Sequence, residues 1–145
     1  MSISLLLEMA ASEHPERIAV VDGDNRLTVG ELSDLADGGA GVIAGSDVEH
    51  VAYVGAGGVV QPLLIFASAC AGVPFTPINY RLSAQGVQEL IARLPNPLVI
   101  VDARYRELVG GVGKRVIDSE DFLAAARTTD PVSYTHLTLP TTPYV

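Results

Sequence analysis

The stretch H-V-A-Y-V-G-A-G-G-V-V-Q-P-L-L-I-F-A-S-A-C-A-G-V-P-F-T-P-I, residues 50–78, decides the fold. Residues 51–54 are apolar at consecutive positions, the pattern of a strand with helices on both faces; a strand with one wet face would alternate. Gly55, Gly57 and Gly58 break the strand, residues 59–71 are long and apolar enough for a buried helix, and Gly72-Val73-Pro74 turns the chain into a second strand at 74–78. Strand, helix and strand in this order predict a parallel pair joined by a helical crossover.

The pattern continues downstream. Ser83 is an N-cap for a helix over 84–93, Pro95-Asn96-Pro97 forces its end, and residues 97–102 form another strand, apolar at consecutive positions over 98–101. Beyond it, Gly110, Gly111 and Gly113 separate a short helix from a strand at 115–117, and Asp118 or Ser119 is placed to cap a last helix running to about Arg127. The predicted fold class is α/β: a layered, mostly parallel sheet covered by helices.

Upstream, leucines and Met9 recur at helical intervals over 4–12, and His14-Pro15 closes that helix. Ile18–Asp22, a turn at Gly23-Asp24-Asn25 and then Arg26-Leu27 read as a hairpin. Thr28 opens a further helix as a capping box with Glu31, with Leu32, Leu35, Ala36 and Ile43 on its apolar face and Gly45 as its stop. A 145-residue chain with 48% hydrophobic content can bury a sizeable core. Its 17 acidic against 9 basic residues, a formal charge of −8, would repel nucleic acid. Cys70 is the only cysteine, so no internal disulfide can form, and the first residues lack the pattern of a secretory signal. Both point to the cytoplasm.

Two alternatives arise from the opening stretch itself. Residues 51–80 contain no Asp, Glu, Lys or Arg and would be long enough to cross a bilayer as a membrane-associated module. Four glycines at roughly 1 kcal/mol each and Pro62 and Pro74 at roughly 3 each oppose one continuous helix by about 10 kcal/mol. The turn at 55–58 also invites comparison with a dinucleotide-binding Rossmann domain, since a glycine turn at a helix N-terminus can cradle a pyrophosphate. Val60 stands where the third glycine belongs, and some twenty residues later the chain offers Phe75 and Thr76 in place of an acid for a ribose hydroxyl. A tight turn feeding a buried helix is the preferred reading. No Lys-Ser or Lys-Thr ends a phosphate-binding glycine loop, no Cys or His pair has metal-ligand spacing, and no serine sits in a G-x-S-x-G elbow. His14 and His50 are read as solvated or capping residues.

Taken in order, H-P-E-R-I-A-V-V-D-G (14–23), R-L-T-V-G-E-L (26–32), A-S-A-C-A-G-V-P (67–74) and T-P-I-N-Y-R-L-S (76–83) resemble the opening of the adenylate-forming acyl-CoA synthetases. Two departures are local: Val29 stands where that family usually has an aromatic, and Ala56-Gly57-Gly58 where it has a Pro-Asn-Ser type of turn. The resemblance implies a two-step reaction, in which a carboxylic acid and Mg-ATP give an acyl-adenylate and pyrophosphate, and the CoA thiol then displaces AMP. It also implies that the catalytic and metal-binding motifs lie in later sequence, so that residues 1–130 form a partial ligase domain, inactive alone and lacking the remainder of its own chain. ATP, Mg2+ and CoA are cofactors expected of the whole enzyme. Within this stretch the resemblance singles out one site residue, Arg81, whose counterpart in some CoA ligases contacts a phosphate of the CoA nucleotide.

The tail changes character. Residues 132–145 carry no charge and four threonines, and V-S-Y-T-H-L-T-L-P-T resembles a translated sequencing adapter. Residues 131–145 are therefore expected to be a disordered, non-native tail, with no function assigned to Tyr134 or His136.

Overall fold

The computed structural model describes residues 3–111 and 115–129; the expectations for Gly113 and for the tail beyond residue 130 lie outside them. Helix α1 (Ile3–Glu13) is followed by the hairpin β1 (Ile18–Asp22) and β2 (Asn25–Thr28), then helix α2 (Val29–Gly45). Strand β3 (His50–Val54), α3 (Val60–Ala71), β4 (Phe75–Ile78), α4 (Ala84–Ala92) and β5 (Pro97–Val101) come next. A 3-10 turn (Ala103–Tyr105) leads to the short α5 (Arg106–Val109), β6 (Arg115–Asp118) and α6 (Ser119–Thr128).

The four later strands form one sheet in the order β4-β3-β5-β6, every pair parallel. Consecutive apolar residues serve both of its faces. Val51, Tyr53, Leu98 and Ile100 point into a core built with α1, α2, α3 and α6, while Ala52, Val54, Val99 and Val101 point into a second core under α4 and α5. The run at 51–80 is thus divided among β3, α3 and β4, and among the described residues no helix is long and apolar enough to cross a membrane.

Local chemistry explains the helix boundaries. The capping box forms as its sequence predicts: the Glu31 amide donates to Thr28 Oγ1 at 3.1 Å, and the Thr28 amide to Glu31 Oε1 at 2.8 Å. Ser83 Oγ accepts from the Gly86 amide at 3.1 Å, and Gly72 closes α3 at φ +72°.

Two caps differ from expectation. Helix α2 does stop at Gly45, but its cap is Ser46, whose hydroxyl donates to the Val42 carbonyl at 2.8 Å, so an end carbonyl is satisfied without a left-handed glycine. At the start of α6 neither expected cap acts as one. Asp118 holds the cap position by its backbone alone, with its carboxylate turned to Arg106 at 2.7 Å, and the Ser119 hydroxyl is directed to Asp102. Inside α2, Gly38 lets α6 approach closely, since a β-carbon there would run into the Ala126 carbonyl.

Candidate functional site at the carboxyl edge of the sheet

From β3 the chain moves outward to β4, then returns past β3 to β5 and on to β6, so its direction across the sheet reverses between β3 and β5. In open α/β sheets the crevice beyond the carboxyl ends of strands at such a reversal is where ligands bind. A cavity of about 610 Å³ opens there, lined among others by Asp22, Gly57, Val59, Asp102, Arg104 and Ser119.

A single carboxylate organises this edge. Asp102, the residue after β5, accepts from the Tyr53 hydroxyl at 2.9 Å, the Ala56 amide at 2.9 Å and the Ser119 hydroxyl at 2.5 Å. The Gly57 amide donates in turn to Tyr53 Oη at 3.1 Å. Burial first, and then the Asp102 carboxylate, push the Tyr53 phenol above its ordinary range, so it stays protonated and keeps donating. The ends of β3 and β5 and the start of α6 are tied through this one group. Gly55 makes room for it, because a β-carbon at that position would clash with Tyr53 Oη and with the Asp102 carboxylate.

The glycine turn takes shape around this hub. Gly57 and Gly58 adopt φ of +100° and +65°, conformations in which side chains are strained. A β-carbon on Gly58 would stand 2.6 Å from Asp22 Oδ2. An acid therefore lies against the turn where a dinucleotide-binding loop would have to receive pyrophosphate, which disfavours that alternative.

A second feature extends along the same edge. The rings of Tyr80, after β4, and Tyr105, after β5, stack with centroids 4.7 Å apart and planes 29° from parallel. The Arg81 guanidinium lies 5.7 Å from the Tyr80 ring centroid, and that of Arg104 lies 5.1 Å from the Tyr105 centroid. Both rings are half-buried against the α4 and α5 core, whereas both arginines are exposed. Two loops distant in sequence thus present a pair of cations on a rigid aromatic base. The Tyr105 amide also donates to the Asp102 carbonyl at 2.8 Å, which joins the stack to the hub.

Arg81, the site residue taken from the resemblance, therefore sits on the carboxyl edge of the sheet, its backbone held by the Asn79 side chain, whose Oδ1 accepts from the Arg81 amide at 2.9 Å. It is not among the residues lining the cavity. Asp102, Tyr53, Tyr105 and Arg104 were not singled out from the sequence. Among the described residues no three of His, Cys, Asp or Glu gather closely enough to hold a metal ion. His50, at the opposite edge, places Nε2 2.6 Å from Thr76 Oγ1 and so bridges β3 to β4.

Comparison with known proteins places this architecture. No protein-family model matches the chain. It is 28% identical over 108 residues to an indoleacetate–CoA ligase of Aromatoleum aromaticum, a match covering 72% of this chain and 21% of that enzyme. The solved Mycobacterium tuberculosis fatty acyl CoA synthetase superposes with a TM-score of 0.79 at 22% identity, covering 90% of this chain and 29% of that one. The N-terminal domain of FACL13 from the same organism gives 0.80 at 22% identity, covering 90% and 36%. The fold is that of the N-terminal domain of adenylate-forming ligases. The chain spans about a fifth of its curated relative and about a third of these solved chains.

Proposed function

We propose that this chain is the N-terminal part of an ATP-dependent carboxylic acid:CoA ligase. The observation that carries the reading is the sequence likeness to an acid–CoA ligase over 108 residues, on a chain with the corresponding fold. In the reaction, a carboxylate oxygen attacks the α-phosphorus of ATP and expels pyrophosphate. The CoA sulfur then attacks the acyl carbonyl and AMP leaves with its phosphate.

The residues described here supply a frame and one contact. Arg81 meets a phosphate of the CoA nucleotide from the carboxyl edge of the sheet, its guanidinium exposed and able to form two parallel hydrogen bonds. Mg2+ and ATP are held by residues elsewhere in the protein. Working in the cytoplasm accords with the lone Cys70.

The test is made on the complete open reading frame. Its product is expected to exchange labelled pyrophosphate into ATP in the presence of a carboxylic acid, whereas the 145-residue chain gives no acyl-adenylate. Absence of exchange across a broad panel of aliphatic and aromatic acids, or a reading frame that adds no Gly-rich Ser/Thr loop with lysine, would remove the reading.

A further inference from the structure

We propose that Tyr105 is a positioning residue for Arg81, holding the guanidinium at the sheet edge so that it meets the phosphate-bearing end of the thiol substrate. The inference rests on the reading of Arg81 given above and adds a residue 24 positions away that touches no substrate. Three observations carry it.

First, Arg81 makes no ion pair with any described residue, so what orders its guanidinium is the Tyr80 ring 5.7 Å away. An exposed arginine without such a base samples many rotamers, and freezing them on binding weakens affinity. Second, Tyr80 lies on the β4–α4 loop, and its ring is stacked on Tyr105 at 4.7 Å. Third, the backbone that carries the Tyr105 ring is tied to the hub. The Tyr105 amide is bonded to the carbonyl of Asp102, and Asp102 is held from three directions by Tyr53, Ala56 and Ser119. Rigidity therefore passes from the hub to Tyr105, from Tyr105 to Tyr80 and from Tyr80 to Arg81. Arg104, 5.1 Å from the Tyr105 ring centroid, brings a second cation to the same base.

The two half-reactions separate this role from simple loss of structure, because pyrophosphate exchange needs no CoA. In the full-length enzyme, Arg81→Ala is expected to raise KM for CoA about tenfold or more, the loss of one charged hydrogen-bonding partner. Tyr105→Leu keeps apolar bulk against the core but removes the stack, and is expected to raise KM for CoA about 3–10-fold while leaving pyrophosphate exchange and KM for the acid unchanged. Tyr105→Phe retains the ring and restores the wild-type value. In the Arg81→Ala background, Tyr105→Leu should add nothing further, since both act through one group.

An unchanged KM for CoA in Tyr105→Leu overturns the proposal, as does a parallel fall in exchange, which would mark a structural role. Failure of Arg81→Ala itself to affect CoA is a different result, and removes the underlying reading of Arg81.

Discussion

The two ends of the parallel sheet are built on different plans. At the amino edge the strands are joined by separate pairwise pegs. His50 bridges to Thr76, the Glu49 amide donates to the Asn96 carbonyl at 3.0 Å, the Asn96 side chain donates to the Asp47 carbonyl at 2.9 Å, and Arg115 donates to the Ser46 carbonyl. At the carboxyl edge one carboxylate gathers three donors from β3, its following turn and α6, and through its backbone steadies the tyrosine stack. Pairwise pegs fail one at a time. A hub fails together, but until then it holds several loops in fixed relation.

The comparison can be broken most severely at Gly55. Gly55→Ala pushes a methyl group into Tyr53 Oη and the Asp102 carboxylate, and the turn has no slack because Gly57 and Gly58 already use positive φ. It is expected to destabilise the chain by about 3 kcal/mol, the upper range for overpacking. Asp102→Ala comes next. It strands the Tyr53 hydroxyl, the Ala56 amide and the Ser119 hydroxyl at once, for an expected loss of about 2–3 kcal/mol, since solvent can reach part of the site. Asp102→Asn retains one acceptor oxygen and should lose about half as much. Urea unfolding followed by far-ultraviolet circular dichroism measures both. A loss at Asp102 no greater than that of an amino-edge peg would mean that the hub is only another pair.

These same residues mark how far the sequence could be read. Strands, helices, the capping box and the parallel order follow from apolar runs and local cap chemistry, which act within a few residues of each other. Arg81 was reached by the likeness of 76–83 to acyl-CoA synthetases, and the structure puts it on the carboxyl edge. The hub was not legible. Its members stand at positions 53, 56, 102 and 119, and no spacing within the chain brings Asp102 to Tyr53; the parallel register of β3 with β5, pairing Val54 with Val101, does so. The tyrosine stack is hidden for the same reason, since Tyr80 and Tyr105 meet only because β4 and β5 both end at one edge. Ser119 was read as a cap because capping is the common local use of a serine at a helix start; a long-range acceptor won the hydroxyl instead.

The smallest expected effect tests the amino edge and has a defined direction with pH. Burial lowers the His50 pKa from its ordinary value of 6.5, so the folded chain favours the neutral imidazole bonded to Thr76. The unfolded chain then binds the proton more readily, and the stability contributed by this peg is complete above pH 6.5 and is lost as pH falls through that value toward the lower folded pKa. His50→Gln keeps a polar side chain but does not titrate. Between pH 7.5 and 5.5 the urea midpoint of the wild-type chain should therefore fall by more than that of the variant, because every other titrating group cancels in the difference. Equal falls for wild type and His50→Gln would show that the imidazole is not used as a peg, and the contrast between the two edges would then rest on backbone pairing alone.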